Sequence, residues 1–477
     1  MSTTTTYGVT YHPTAPKQSP PNVEQVIKAL KANGIKFIRV QWCDLTNTTR
    51  YRVLAIDYFL KIMQTPRPAI SLTKASLGLA FITLAPGFSP IGEYLYVPDI
   101  YSLRRAPYAP GHATVMGWFE EKIPLPDATG TVSVAVPLCP RATLERLLAE
   151  SKKAGIEFLV GFETEFILLR STDPISAVND HGWSVAAALG SGTVESKVLE
   201  EIADCLQDAG IELQMYHAEA APGQFEVVTG PLSPLEAADA LVTTREILYN
   251  VASKHGLRAT LAPRVYNDNC GSAAHTHISV HSTEPAPASN TENLNAVEAS
   301  FLASLLGHLP AVTAFTLPLP ASYSRMVDGV WSGGTYVCWG TDNREAPVRL
   351  CNATSPASRN FEIKSVDGTA NPYLALTALL GAGFAGIKEG KVLEVKDCGG
   401  GASAADMGED ARQALGITTR MPLSHALARE ALVRDETLTN VFGEEFVAGY
   451  LSVNEAMAKG LVGKDEEDTM RRLVQYY

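Results

Sequence analysis

Glu163 and Glu165 stand two residues apart in GFETEF, inside a run that otherwise reads as an apolar strand. Side chains alternate across a strand, so this spacing puts both carboxylates on one face. Two acids held together raise each other's pKa, and they stay ionised only beside a metal ion or a base. A solvent-facing strand with alternating polar residues gives the same local pattern, so the pair needs company before it means chemistry. HAEAAPGQFEVV adds Glu219 and Glu226 on either side of a Pro-Gly turn, AAHTHISV places His275 and His277 two apart, and NFEIKSVDG does the same with Glu362 and Lys364. A lone strand histidine is more often structural than a ligand. Four such strands together describe a funnel lined by acids and imidazole, a donor set that suits Mg²⁺ or Mn²⁺ better than zinc or copper.

Arg325 in ASYSRM and Arg344 and Arg349 in NREAPVRL lie in polar, Pro-interrupted segments with few acids of their own. The planar guanidinium binds carboxylate and phosphoryl groups bidentately, so arginines beside a carboxylate–metal funnel suit an anionic, phosphorylated substrate. Surface arginines are the plain alternative. The one GxGxxG match, Gly381-AGFAG, follows a helical pattern where a dinucleotide site needs a strand, and is better explained by close helix packing. Neither a GxxxxGK[ST] loop nor a GxSxG elbow is present.

The elements that must position these residues are legible as a repeated unit. Four times an amphipathic helical pattern runs through a glycine (Gly34, Gly155, Gly210, Gly256) into a strand-like run. Each glycine sits where a helix end needs positive φ. Turn residues in 111–138, followed by the helix opening at Pro140, divide a smaller domain, 22–135, from a larger one, 136–477. Residues 1–21, rich in Thr and Pro and lacking a basic then apolar region, read as a flexible leader and not a signal peptide. With 51 acidic residues against 39 Lys and Arg, the formal charge of −12 repels phosphodiester backbones, so no nucleic-acid partner is expected. The apolar stretch Leu374 to Ile387 falls short of the roughly 20 residues a bilayer span needs, so no membrane helix is expected either. Seven scattered cysteines without a CxxC argue for reduced thiols and a cytoplasmic setting.

The motifs GFETEF, EAAPGQFE, AAHTHIS, SYSR, NREAPVR and FEIKSVDGTANPYLAL, in this order, resemble the glutamine synthetase family over nearly the whole chain. The resemblance implies an α+β fold: an N-terminal β-grasp domain and a C-terminal catalytic domain on a curved antiparallel sheet with helices, assembled into a homo-oligomeric ring, a dodecamer. It implies two metal sites, the first from Glu165, Glu219 and Glu226, the second from Glu163, His275 and Glu362. Arg325 matches the residue gripping the glutamate α-carboxylate, Gly271 the backbone near its amino group, and Arg344 and Arg349 the arginines on the transferred phosphate. His277 and Ser279, with Arg349, fall where the family contacts ATP. Asp44, in VQWCDLTN, matches an aspartate that reaches a neighbouring subunit's ammonium pocket.

The departures bear on substrate. Where true glutamine synthetases carry a flap glutamate, six residues after Arg325, this chain has Trp331, which cannot act as a base. Cys270 replaces a usual Asn, Asn360 an Arg near ATP, and Lys364 an Arg on the substrate γ-carboxylate. WSGG and WGTDNREAP resemble the FluG-type branch. Three readings follow: an ATP-dependent ligase joining glutamate to an amine through γ-glutamyl phosphate, glutamine synthesis from ammonia, and a catalytically silent ring acting as scaffold or sensor.

Overall fold

The computed structural model describes residues 9–13, 22–126, 130–182, 186–400 and 402–477. The small N-terminal unit holds two four-stranded sheets. One runs Thr49–Ala55, Phe37–Cys43, His112–Val115, Arg104–Arg105, with its central pair parallel; the other runs Val132–Ala135, Gly117–Pro126, Glu93–Pro98, Ile70–Thr73, all antiparallel. Alternating apolar residues from both, among them Ile38, Val40, Trp42, Tyr96 and Phe119, meet in one core.

The larger unit is organised by a sheet whose strand order is Leu213–Ala218, Gln224–Leu232, Ile156–Thr172, Thr276–Ser282, Asn360–Ile363, Val348–Cys351, Trp339–Thr341. Every neighbouring pair is antiparallel except the last. The central strand, Ile156–Thr172, is 17 residues long. The four glycines between helix and strand adopt φ of 77°, 74°, 74° and 70°, which L side chains resist. The strand after Gly256 is short, Arg258–Thr260, because the chain then leaves the sheet to form the loop carrying Gly271.

Contrary to the expectation from Leu374 to Ile387, one helix among the described residues, Ala296–Thr316, is long and apolar enough to cross a membrane by length and composition. Its apolar surface is spent inside the protein, against Pro372–Glu389 and His425–Arg434. The glycines of the GxGxxG match explain how closely the first two helices approach: a Cβ at Gly383 would fall 2.1 Å from the Phe301 ring, and one at Gly386 2.3 Å from Ser304. Asn295 and Glu298 close the helix start as a reciprocal cap.

The two units are joined by a buried ionic cluster. Arg141 donates to Asp239 from Nε (3.0 Å) and Nη2 (2.8 Å) and to Asp99 from Nη2 (2.6 Å), while the Tyr373 hydroxyl donates to Asp239 at 2.6 Å. Asp99 belongs to the small unit and the other three to the large one.

Candidate active site

A cleft of about 1170 Å³ opens on one face of the large sheet. Along Ile156–Thr172, period two brings Leu159, Gly161, Glu163 and Glu165 in turn to its floor. Neighbouring strands supply the rest by register: Glu226 lies opposite Glu165, His277 opposite Gly161 and Glu362, and Arg349 opposite Glu362. Every site residue expected from sequence lines this cleft except Asp44; that includes Gly271, Ser279, Trp331 and Arg344.

Asp44 is wholly buried elsewhere. Its Oδ1 accepts from the Thr46 amide (2.9 Å), the Thr46 hydroxyl (2.7 Å) and the Thr48 amide (3.0 Å), and its Oδ2 from Arg50 Nε (2.6 Å). Both oxygens thus serve this chain's own turn.

Glu163, His275 and Glu362 place ligand atoms within 4.8 Å of one another, matching the expected second metal group. The first group divides: Glu165 and Glu226 cluster with His275, and Glu219 and Glu226 cluster with His217, which sequence reasoning did not single out. The same two-residue spacing that flagged His275 and His277 holds between His217 and Glu219. Burial pushes the Glu165 carboxyl well up, reinforced by the charges of Glu226 and Glu219, and burial with Glu226 raises Glu219. The hydrogen bond to Glu226 is the main reason His217 is raised to about 9. Burial opposes ionisation of Glu163 as well, yet hydrogen bonds from His275 (2.9 Å) and His277 (3.0 Å) hold it far below the usual carboxylate range. Glu362 is lowered against its burial chiefly by Lys364, whose Nζ is 3.3 Å away, and Arg349 pairs with its other oxygen.

Acids raised by one another and by burial, with oxygen donors predominating, are what a hard divalent cation relieves. The set therefore fits a divalent cation of that kind. Gln224, also missed from sequence, orients it: its amide donates to Glu165 Oε2, the Gly271 carbonyl and Ser272. Arg325 is buried, and among its nitrogens Nη1 and Nη2 reach backbone carbonyls at 3.3 and 3.4 Å while Nε has no partner among the described residues. Gly271 is there because a Cβ would fall 2.6 Å from the Arg325 side chain and from the Pro263 carbonyl. Trp331 sits at the rim, half-exposed, with φ +56°. The loop is pinned by Glu345, which accepts the Trp331 amide at 2.9 Å and the Gly329 amide at 3.3 Å.

The catalytic-domain profile of glutamine synthetase matches residues 137–464, and the chain belongs to the glutamine synthetase family. It is 38% identical to the fluG protein of Emericella nidulans over 465 residues, 94% of this chain but only 50% of that one, so the chain spans about half the length of that relative. To the gamma-glutamylpolyamine synthetase GlnA3 of Streptomyces coelicolor it is 30% identical over 394 residues, 80% of each chain. A solved GmaS complex with ADP shares the fold, with a TM-score of 0.74 at 24% identity over 92% of this chain and 97% of that one.

Proposed function

We propose that this protein is an ATP-dependent ligase that forms a γ-glutamyl amide from glutamate and an amine. The observation that carries this reading is one cleft in which Glu163, Glu165, Glu219, Glu226, Glu362 and His275 converge beside Arg325, Arg344 and Arg349. A γ-carboxylate oxygen of glutamate attacks the γ-phosphorus of ATP and ADP leaves; the amine nitrogen then attacks the acyl carbon, phosphate leaves, and the nitrogen loses a proton. Arg325 holds the α-carboxylate, with Gly271 setting the backbone beside it. Arg344 and Arg349 face the moving phosphoryl group, and Lys364 the γ-carboxylate. His277 and Ser279 lie toward the nucleotide. Divalent ions held by the six acidic and imidazole ligands would neutralise developing phosphoryl charge.

Trp331 favours an amine larger than ammonia. Ammonium needs a small anionic pocket that takes its proton, whereas an indole at the rim offers an apolar face and cation–π attraction of about 0.5 to 2 kcal/mol. Glutamine formation is the second reading, and the silent ring the third. ADP release with glutamate and Mg²⁺ across ammonium, alkylamines, polyamines, aromatic amines and no amine decides among them. A best amine is expected to exceed ammonium in kcat/KM, with Trp331→Glu moving the ratio toward ammonium. Preference for ammonium unmoved by the substitution removes the role given to Trp331, and no ADP release with any amine removes the ligase reading. A homo-oligomeric ring is part of the proposal and is tested by light scattering. Seven free thiols support a reducing, cytoplasmic setting.

A further inference from the structure

The carboxylates occupy one end of the cleft, and the other end is apolar. Four residues along the central strand from Glu163 lies Leu159, roughly 13 Å away at strand rise, with Gly161 between them. Pro231 comes to the same end, since it lies between Thr229, which pairs with Phe162, and Leu232, which pairs with Val160; Leu213 and Met215, opposite Thr229 and Val228, flank the cleft two strands out from the central one. A Cβ at Gly161 would make ordinary contacts with the Thr229 carbonyl at 3.4 Å and with Pro231 at 3.7 Å, so the glycine keeps the floor between them flat without being forced by a clash. Against that outer strand comes a residue from far away in sequence. Tyr11 lines the cleft, its hydroxyl donates to Glu212 at 2.6 Å, and it accepts from the Gln214 side chain at 2.8 Å.

We propose that Tyr11 forms one wall of the nucleobase pocket, so that residues 9–13 complete the ATP site. The inference rests on the ligase reading above. A nucleoside triphosphate must keep its phosphates at the carboxylates and arginines, and laid along the central strand past His277 and Ser279 it delivers its base to the apolar end. A flat base gains there from an aromatic face and a bare floor, and stacking on an aromatic side chain tolerates any base because each has a π-face. The hydrogen bonds to Glu212 and Gln214 fix the ring instead of contacting the ligand, so the ring and the hydroxyl have separable roles.

The test uses the full chain with Mg²⁺ and two probes, a non-hydrolysable ATP analogue and inorganic tripolyphosphate, which has no base. Calorimetry is expected to show that Tyr11→Ala weakens the ATP analogue roughly tenfold while leaving tripolyphosphate unchanged. Tyr11→Phe, which keeps the ring, should stay within about twofold of wild type. Equal affinity for the ATP analogue in wild type and Tyr11→Ala overturns the proposal, as does equal loss of both probes, which marks Tyr11 as a structural peg. A wild type that binds neither probe and releases no ADP overturns the ligase reading itself, a result distinct from a working enzyme indifferent to Tyr11.

Discussion

The cluster around Arg141 and the cluster around Glu165 are both built from buried acids, and they differ in what neutralises them. At Arg141, two aspartates share one guanidinium that donates to both, and Tyr373 supplies a further donor. In the cleft, no Lys or Arg pairs directly with Glu165, Glu219 or Glu226 among the described residues; their ionic contacts are with His217 and His275, and Arg325 and Lys364 act on Glu165 only from further off. A closed cluster ties two units together, while an unbalanced one holds unfavourable charge in reserve for a ligand that supplies the opposite sign.

Breaking the balanced cluster should cost most. Arg141→Met strands two buried aspartates, and chemical denaturation is expected to show a loss of about 3–5 kcal/mol, with no change in the number of metal ions bound by whatever folds. Glu246 tests the intermediate case. It is pushed up to about 7 by burial, with the Arg39 charge opposing. Its folded pKa lies above its unfolded value, so the protonated form is the one the fold favours. Stability is therefore fully present below the unfolded pKa and is lost as pH rises through about 7. Between pH 5 and 8 the wild type should lose about 2 kcal/mol relative to Glu246→Gln, measured by urea unfolding. The smallest stability effect belongs to the cleft. Glu165→Gln should leave the metal-free protein unchanged or more stable by up to about 1 kcal/mol, because it removes a repelling acid. The same variant should forfeit most of the rise in melting temperature that Mg²⁺ or Mn²⁺ gives the wild type. A strongly destabilised metal-free Glu165→Gln would erase the distinction between the clusters.

Much of the cleft was legible because its residues obey local rules. The two-residue spacings of Glu163 with Glu165, His275 with His277, and Glu362 with Lys364 fix a shared face before any fold is known. His217 obeys the same rule with Glu219. Tyr11 and Glu345 carry no such signal. Tyr11 meets Glu212 across 201 residues, and Glu345 acts by accepting backbone amides, which every residue but proline offers. Of the expected leader, residues 1–8 and 14–21 lie outside the described residues, and residues 9–13 carry the tyrosine bound at the cleft. Asp44 differs from both: its motif suggests a shared site, and within this chain Thr46, Thr48 and Arg50 following it engage both oxygens.

Helix Ala296–Thr316 has a consequence for biosynthesis. During translation it emerges before Pro372–Glu389, the helix that covers it, so for an interval the nascent chain displays a segment as greasy as a membrane anchor. Fragments ending between the two helices will expose that surface permanently and are expected to aggregate or to be held by chaperones. Split or truncated forms of this protein should therefore keep both helices on the same piece.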